Sequence, residues 1–149
     1  MLFRLYATAP PRFLARFSTA VLLLEQTFSM ARILIYSTDR LLAEVVRVAL
    51  QGLGAEIRSA ESCERFERLT SRMVFDLVLV VGVAPFWSGR ELFRRVRPRP
   101  LHRPEIYVLA WQQADETVLA LLESGVDQYM TFPLNLARLR GKVITALER

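Results

Sequence analysis

The chain has 149 residues, 52% of them hydrophobic and 23% charged, with a formal net charge of +5. That length accommodates one globular domain with a short extension, and the apolar content excludes a chain too polar to fold. No apolar run reaches the roughly 18 residues needed to cross a bilayer, so no membrane span is expected.

Nearly all the basic residues are arginine, Lys142 being the only lysine. Arginine favours bidentate contact with carboxylate or phosphate, so acidic partners are conceivable, although GC-rich codon bias produces the same composition. The single cysteine, Cys63, excludes an internal disulfide and points to a reducing cytoplasm. Its spacing with Phe66 and Leu69 predicts a core thiol. With His102 the only histidine, zinc sites and Ser-His-Asp or Cys-His catalysis have little to build on, and no enzyme activity or cofactor is expected.

Residues 1–30 read as an N-terminal extension. They carry Arg4, Arg12 and Arg16 against one acid, Glu25, with Pro10-Pro11 breaking the segment. Phe13, Leu14, Phe17, Val21 and Leu24 recur at helical spacing. Three readings stay open: an organellar transit peptide, a membrane-surface helix, or an over-extended gene start with Met30 as the true first residue.

From residue 31 onward, short apolar runs alternate with amphipathic segments. Ile33-Leu34-Ile35-Tyr36 reads as a strand covered on both faces. Asp39 offers an N-cap to a helix carrying Leu42, Val45, Val46, Ala49 and Leu53, closed by Gly54. Ala55–Ser59 reads as a second strand, and Cys63, Phe66 and Leu69 mark a second helix. Leu77–Val81 is the third strand, followed by a loop with Pro85 and a helix with Leu92, Phe93 and Val96. Ile106–Ala110 is the fourth strand, and Asp115–Ser124 a helix ended by Gly125. Gln128–Thr131 is the fifth strand, and the last helix carries Leu136, Leu139, Val143 and Leu147. Five βα units with short loops predict an α/β fold, a doubly wound parallel sheet with helices on both faces.

Several landmarks in residues 31–149 point further: Asp76-Leu77-Val78-Leu79, Pro85, Gly89 and Gly125-Val126-Asp127-Gln128-Tyr129. With the five βα units, they resemble the response-regulator receiver domain of the CheY-like superfamily. The resemblance implies a flavodoxin-like (βα)5 sheet in the order 2-1-3-4-5, with chemistry at the carboxyl ends of the strands. In that family two acids after strand one bind magnesium together with an acceptor aspartate after strand three. A Ser/Thr after strand four and a Lys after strand five contact the phosphoryl oxygens.

By the same resemblance these positions fall on Ser37 and Thr38, Val81, Ala110, and Phe132 before Pro133. All five are replaced. Magnesium prefers octahedral oxygen ligands including one or two carboxylates, and the nearest acid, Asp39, is expected to cap a helix. Clustered carboxylates repel by about 4 kcal/mol per pair at 4 Å and an effective dielectric of 20, whereas each large apolar side chain contributes about 1.5–3 kcal/mol on burial. The expectation is a pseudo-receiver, stable without metal and unable to carry an acyl phosphate. Trp111 and Phe132 either fill the space the acids vacate or flank a cleft for a small ligand or nucleotide.

Phe86 and Trp87 lie in a loop that lacks the spacing of a phosphate-binding glycine motif, and either face a partner or fold over the filled site. Arg90, Arg94, Arg95, Arg97, Arg99 and Arg103 gather around three prolines. Glu91 and Glu105 are interspersed and no recognition helix accompanies them, so a solvated helix end is preferred to a nucleic-acid surface. Tyr129 falls where many receivers keep an aromatic switch residue. With the last helix ending at Glu148-Arg149, no effector domain is expected to follow. The function expected is therefore contact with another signalling protein or self-association, as a homodimer for example, in a two-component-type or motility pathway. The candidate contact residues are Phe86, Trp87, Trp111, Tyr129 and Leu136. A small-ligand module and a basic nucleic-acid-associated regulator are the alternatives.

Overall fold

Three strands of the chain are apolar at nearly every position, and such strands are stable only when both faces of the sheet are covered. The computed structural model describes residues 30–82, 89–96 and 102–148. In chain order the elements are β1 (Arg32–Tyr36), α1 (Arg40–Ala49), β2 (Glu56–Ala60), α2 (Cys63–Arg72), β3 (Leu77–Val81), α3 (Gly89–Val96), β4 (Glu105–Ala110), α4 (Asp115–Glu123), β5 (Gln128–Thr131) and α5 (Leu136–Leu147). The strands form one parallel sheet in the order β2-β1-β3-β4-β5. This is the flavodoxin-like arrangement that the resemblance implies.

The period of two along each strand divides the core. Ile33, Ile35, Leu77, Leu79, Val81, Tyr107 and Leu109 face one side, where Val46 and Leu50 of the α1 segment and Leu139 and Val143 of α5 cover them. Leu34, Tyr36, Val78, Val80, Ile106, Val108 and Ala110 face the other side, with Phe66 of α2 and Val96 of α3. Register follows, with Ile33 beside Leu77 and Leu77 beside Glu105. Phe66 meets Tyr36 edge-on, with ring centroids 5.3 Å apart.

Helix starts are fixed by side-chain caps. Asp39 accepts from the N–H groups of Leu41 and Leu42, Ser62 from Arg65, and Asn135 from Arg138. Two carboxylates do the same for strands: Asp76 accepts from the Arg32 N–H at 2.8 Å and Asp127 from the Ile106 N–H at 2.8 Å. Each sits just outside a strand and holds a donor in the first two residues of its neighbour.

The structure corrects three local expectations. α1 ends at Ala49 rather than reaching Gly54, because Gly52 and Gly54 both take positive φ in the turn that leads to β2. Val45 does not join the core; with Leu41 and Val48 it forms an exposed apolar stripe, while Val46 and Leu50 are buried. Cys63 is exposed instead of buried, since it opens α2 where the first turn leaves the sheet. The amphipathic spacing expected before residue 30 and the side chains of Leu92 and Phe93 lie outside the described residues.

Gly141 sits inside α5, and a Cβ built there meets nothing within 4 Å. Gly141→Ala is therefore expected to stabilise the fold by about 0.5–1 kcal/mol, read as a raised midpoint in chemical denaturation.

Candidate functional site

Four strands of the sheet end together at its carboxyl edge, the place where parallel α/β folds bind ligands. There β1 delivers Ser37 and Thr38, β3 delivers Val81 and Gly82, β4 delivers Ala110 and Trp111, and β5 delivers Phe132. Backbone bonds continue the sheet through this edge: Ser37 N–H to the Ala60 carbonyl at 3.1 Å, Gly82 N–H to Leu109 at 2.7 Å, and Phe132 N–H to Ala110 at 3.0 Å.

The site is closed by hydrogen bonds within the chain. Ser37 is fully buried; its hydroxyl donates to the Asp39 carbonyl at 3.0 Å and accepts from the Asp39 N–H at 3.1 Å. One oxygen of the Asp39 carboxylate, Oδ1, accepts from the Leu41 and Leu42 N–H groups, at 2.9 and 3.1 Å. Thr38 is exposed. Leu42, positioned by this cap, lies against the turn after β3. Gly82 adopts φ 64° there, and a Cβ on it would stand 2.5 Å from a Leu42 methyl.

Val81 is fully buried in the cluster shared with α1 and α5, and Phe132 packs against that same cluster. Ala110 is buried on the opposite face. Trp111 is 58% exposed, its ring tilted 46° against Phe132 with centroids 4.9 Å apart. The Tyr129 hydroxyl donates to the Trp111 carbonyl at 2.9 Å, and burial raises the pKa of this half-buried tyrosine. Leu136 opens α5 and is exposed. The structure thus gathers Ser37, Thr38, Val81, Ala110, Trp111 and Phe132 at one edge, with Tyr129 bonded to it. Phe86 and Trp87 lie outside the described residues.

Of the basic cluster, Arg95 is held by Glu67 and Glu91 at 2.5 and 2.9 Å, and Arg103 by the Gly125 carbonyl at 2.7 Å and Asp127 at 3.3 Å. Arg94 is exposed, while Arg97 and Arg99 lie outside the described residues.

One pairing beneath the site had no signal in the sequence. Tyr36 ends β1, and its hydroxyl lies 3.4 Å from the Cys63 sulfur. Burial, and then the bond to the thiol, push the Tyr36 hydroxyl up to about 12. The residues are 27 positions apart, so only the crossover from β1 to α2 brings them together. Among the described residues, no group of three or more His, Cys, Asp or Glu side chains is gathered that could hold a metal ion.

Comparison with known proteins accords with this geometry. The model of the response regulator receiver domain matches residues 33–144. The chain belongs to that family. Among curated relatives it is 29% identical to the response regulator protein PilR of Pseudomonas aeruginosa, over 80% of this chain and 26% of PilR. It is 31% identical to the transcriptional regulatory protein TrcR of Mycobacterium tuberculosis, over 76% of this chain and 45% of TrcR. The chain thus spans about a quarter to a half of these relatives. Among solved structures it resembles the BeF3-activated DrrB receiver domain, at 28% identity and TM-score 0.69, covering 81% of this chain and all of that one. A putative response regulator from Chloroflexus aurantiacus is similar to the same degree, at 28% identity and TM-score 0.68, again over 81% of this chain and all of the other.

Two measurements test this receiver's strand-end packing. Val81→Asp places an unpaired carboxylate in an apolar cluster and is expected to cost about 3–5 kcal/mol at neutral pH, with part of the loss recovered as acid protonates it. Denaturation at two pH values checks both parts. Tyr36 has its pKa raised on folding, so the folded state binds the proton more tightly and that stability is complete below about pH 10. It is lost as pH rises from 10 towards 12. Tyr36→Phe is expected to flatten this alkaline decline in stability.

Proposed function

We propose that this receiver works as a phosphorylation-independent interaction module, docking on another signalling protein or on a second copy of itself. The observation that carries the reading is the strand end at Val81, buried in an apolar cluster, while Asp39, the nearest acid after β1, caps α1. An acyl phosphate requires a carboxylate acceptor, and valine offers none. Ala110 has no hydroxyl and Phe132 no cation to meet phosphoryl oxygens.

The residues present do not fit the magnesium ion that the family resemblance implies. The Ser37 hydroxyl is committed to Asp39 backbone groups, and Oδ1 of the Asp39 carboxylate to the start of α1. Magnesium dehydrates reluctantly and asks for near-octahedral oxygen donors, which this apolar edge lacks. The same chemistry argues for a binding role and against an enzyme.

The proposed contact face runs from Trp111 and Tyr129 to Leu136 at the start of α5. Trp111 and Leu136 expose apolar surface there, and aromatic side chains are favoured at the centres of protein interfaces. The regulatory names of PilR and TrcR support a signalling partner of the two-component kind, which would be met in the cytoplasm; no helix among the described residues is long and apolar enough to cross a membrane. A second reading rests on the exposed Trp111 ring against Phe132, which offers a shelf for a small aromatic or nucleotide-like ligand. A nucleic-acid role is less favoured, because Arg95 and Arg103 are held by acids.

Incubation with acetyl phosphate or beryllofluoride is expected to leave the intact mass unchanged, and millimolar magnesium to leave the melting midpoint within a degree or so. A stoichiometric adduct, or a midpoint raised by several degrees, would overturn the reading. Quenching of Trp111 fluorescence by a nucleotide, with no change in association state, would favour the second.

A further inference from the structure

The sheet ends in two edge strands, β2 and β5. β2 carries no proline and pairs with β1 in unbroken register from Glu56 to Ala60. In a parallel ladder, alternate residues turn their backbone groups to the same neighbour. The Glu56 N–H donates to the Ala31 carbonyl at 2.8 Å, and the Ala60 carbonyl accepts from the Ser37 N–H at 3.1 Å. Glu56, Arg58 and Ala60 therefore face β1, and Ile57 and Ser59 turn their N–H and C=O groups to the open edge. The Ser59 carbonyl accepts from the Arg65 guanidinium at 3.0 Å, whereas the backbone groups of Ile57 have no bonding partner among the described residues.

Such an edge is a template for a further strand unless its side chains forbid it, and a lone cation in mid-strand is a common deterrent. Arg58 is not alone. Its Nε lies 2.7 Å from Glu56, two residues away on the same face, and Glu56 reaches Arg32 at 3.2 Å with its other oxygen. A guanidinium carries five N–H donors, so Arg58 can serve its own Glu56 and a second carboxylate together. On the opposite face Ile57 is half-buried against the layer that holds Val46 and Leu50. The edge thus presents an acid, an apolar residue and a base in succession.

That succession is complementary to itself. Two copies related by a two-fold axis normal to the sheet pair their edge strands antiparallel, with one residue facing its own counterpart at the axis. Centring the pair on Glu56 or on Arg58 sets like charges directly opposite each other, which is destabilising. Centring it on Ile57 sets Glu56 opposite Arg58 of the second copy, twice by symmetry. In that register the two Ile57 residues also exchange both backbone hydrogen bonds, using the groups that the fold leaves turned outward, and their side chains meet on the other face. The β5 strand, Gln128–Thr131, carries no charge and selects no register in this way.

We propose that the chain forms a two-fold homodimer in which β2 pairs antiparallel with β2 of a second copy, centred on Ile57, joining two five-stranded sheets into one. The joint lies at the edge of the sheet away from β5. It uses neither the strand-end residues around Val81 nor the Trp111–Tyr129–Leu136 face, which stays available to another protein. The proposal therefore stands or falls separately from the phosphorylation-independent reading.

Sedimentation of the full chain is expected to show a reversible monomer–dimer equilibrium, with dimer populated at about 0.1 mM. The outward Ile57 amide should gain protection from hydrogen exchange as concentration rises. Arg58→Glu sets like charges across the axis and should weaken dimerisation about ten-fold or more while the melting curve stays cooperative. The Glu56→Arg/Arg58→Glu double variant reverses both charges and should recover the dimer. A chain that is monomeric at about 0.1 mM, or a dimer that Arg58→Glu leaves equally tight, would overturn the proposal. So would a folded double variant that stays monomeric, or an Ile57 amide that exchanges equally fast in monomer and dimer.

Discussion

The structure depends on the two-sided burial of its central strands. β3 is buried at every position and β1 at all but its first, so neither can exist without helices above and below. The parallel ladder imposes the same condition, because each return to the sheet needs a crossover. Once β1, β3 and β4 are apolar on both faces, the positions left for polar or variable chemistry are the strand ends and the helix surfaces. Edge strands show the complement: β2 and β5 keep half-exposed residues along their length.

This constraint separates scaffold from site. Most of both core layers is built from side chains deeper in the sheet than the strand ends. Val81 and Phe132 go further and extend the α1–α5 layer to the edge. Local bonds finish the edge: Ser37 and Asp39 satisfy each other and the start of α1 without any outside group. The buried Ser37 hydroxyl, satisfied within the chain, places no demand on a bound ion.

Much of this was legible from the sequence. β3 and β5 have the bounds that their apolar runs predict, β1 and β4 each begin one residue earlier, and Asp39 caps α1 as its position suggested. Strand order was a different matter, since periodicity does not fix which parallel strands are neighbours; the family resemblance supplied it. Val45 was misread because α1 is apolar at most positions, so spacing alone cannot choose between two stripes. Cys63 was misread because helical spacing gives direction around a helix, not the distance of its first turn from the sheet. At the site, the strand-end residues follow from where apolar runs stop. The Asp76 and Asp127 bonds and the Tyr36–Cys63 pair link residues 44, 21 and 27 positions apart, and no local pattern announces them.

The burial of Val81 reaches beyond the strand end. Its cluster also holds Val46 from α1 and Leu139 and Val143 from α5. Interiors are close-packed, so a change in volume at one member is felt by its neighbours. The tip of β3 therefore packs in one buried cluster with residues of both α1 and α5. A change of side-chain volume at residue 81 would therefore reach the surface that α5 presents.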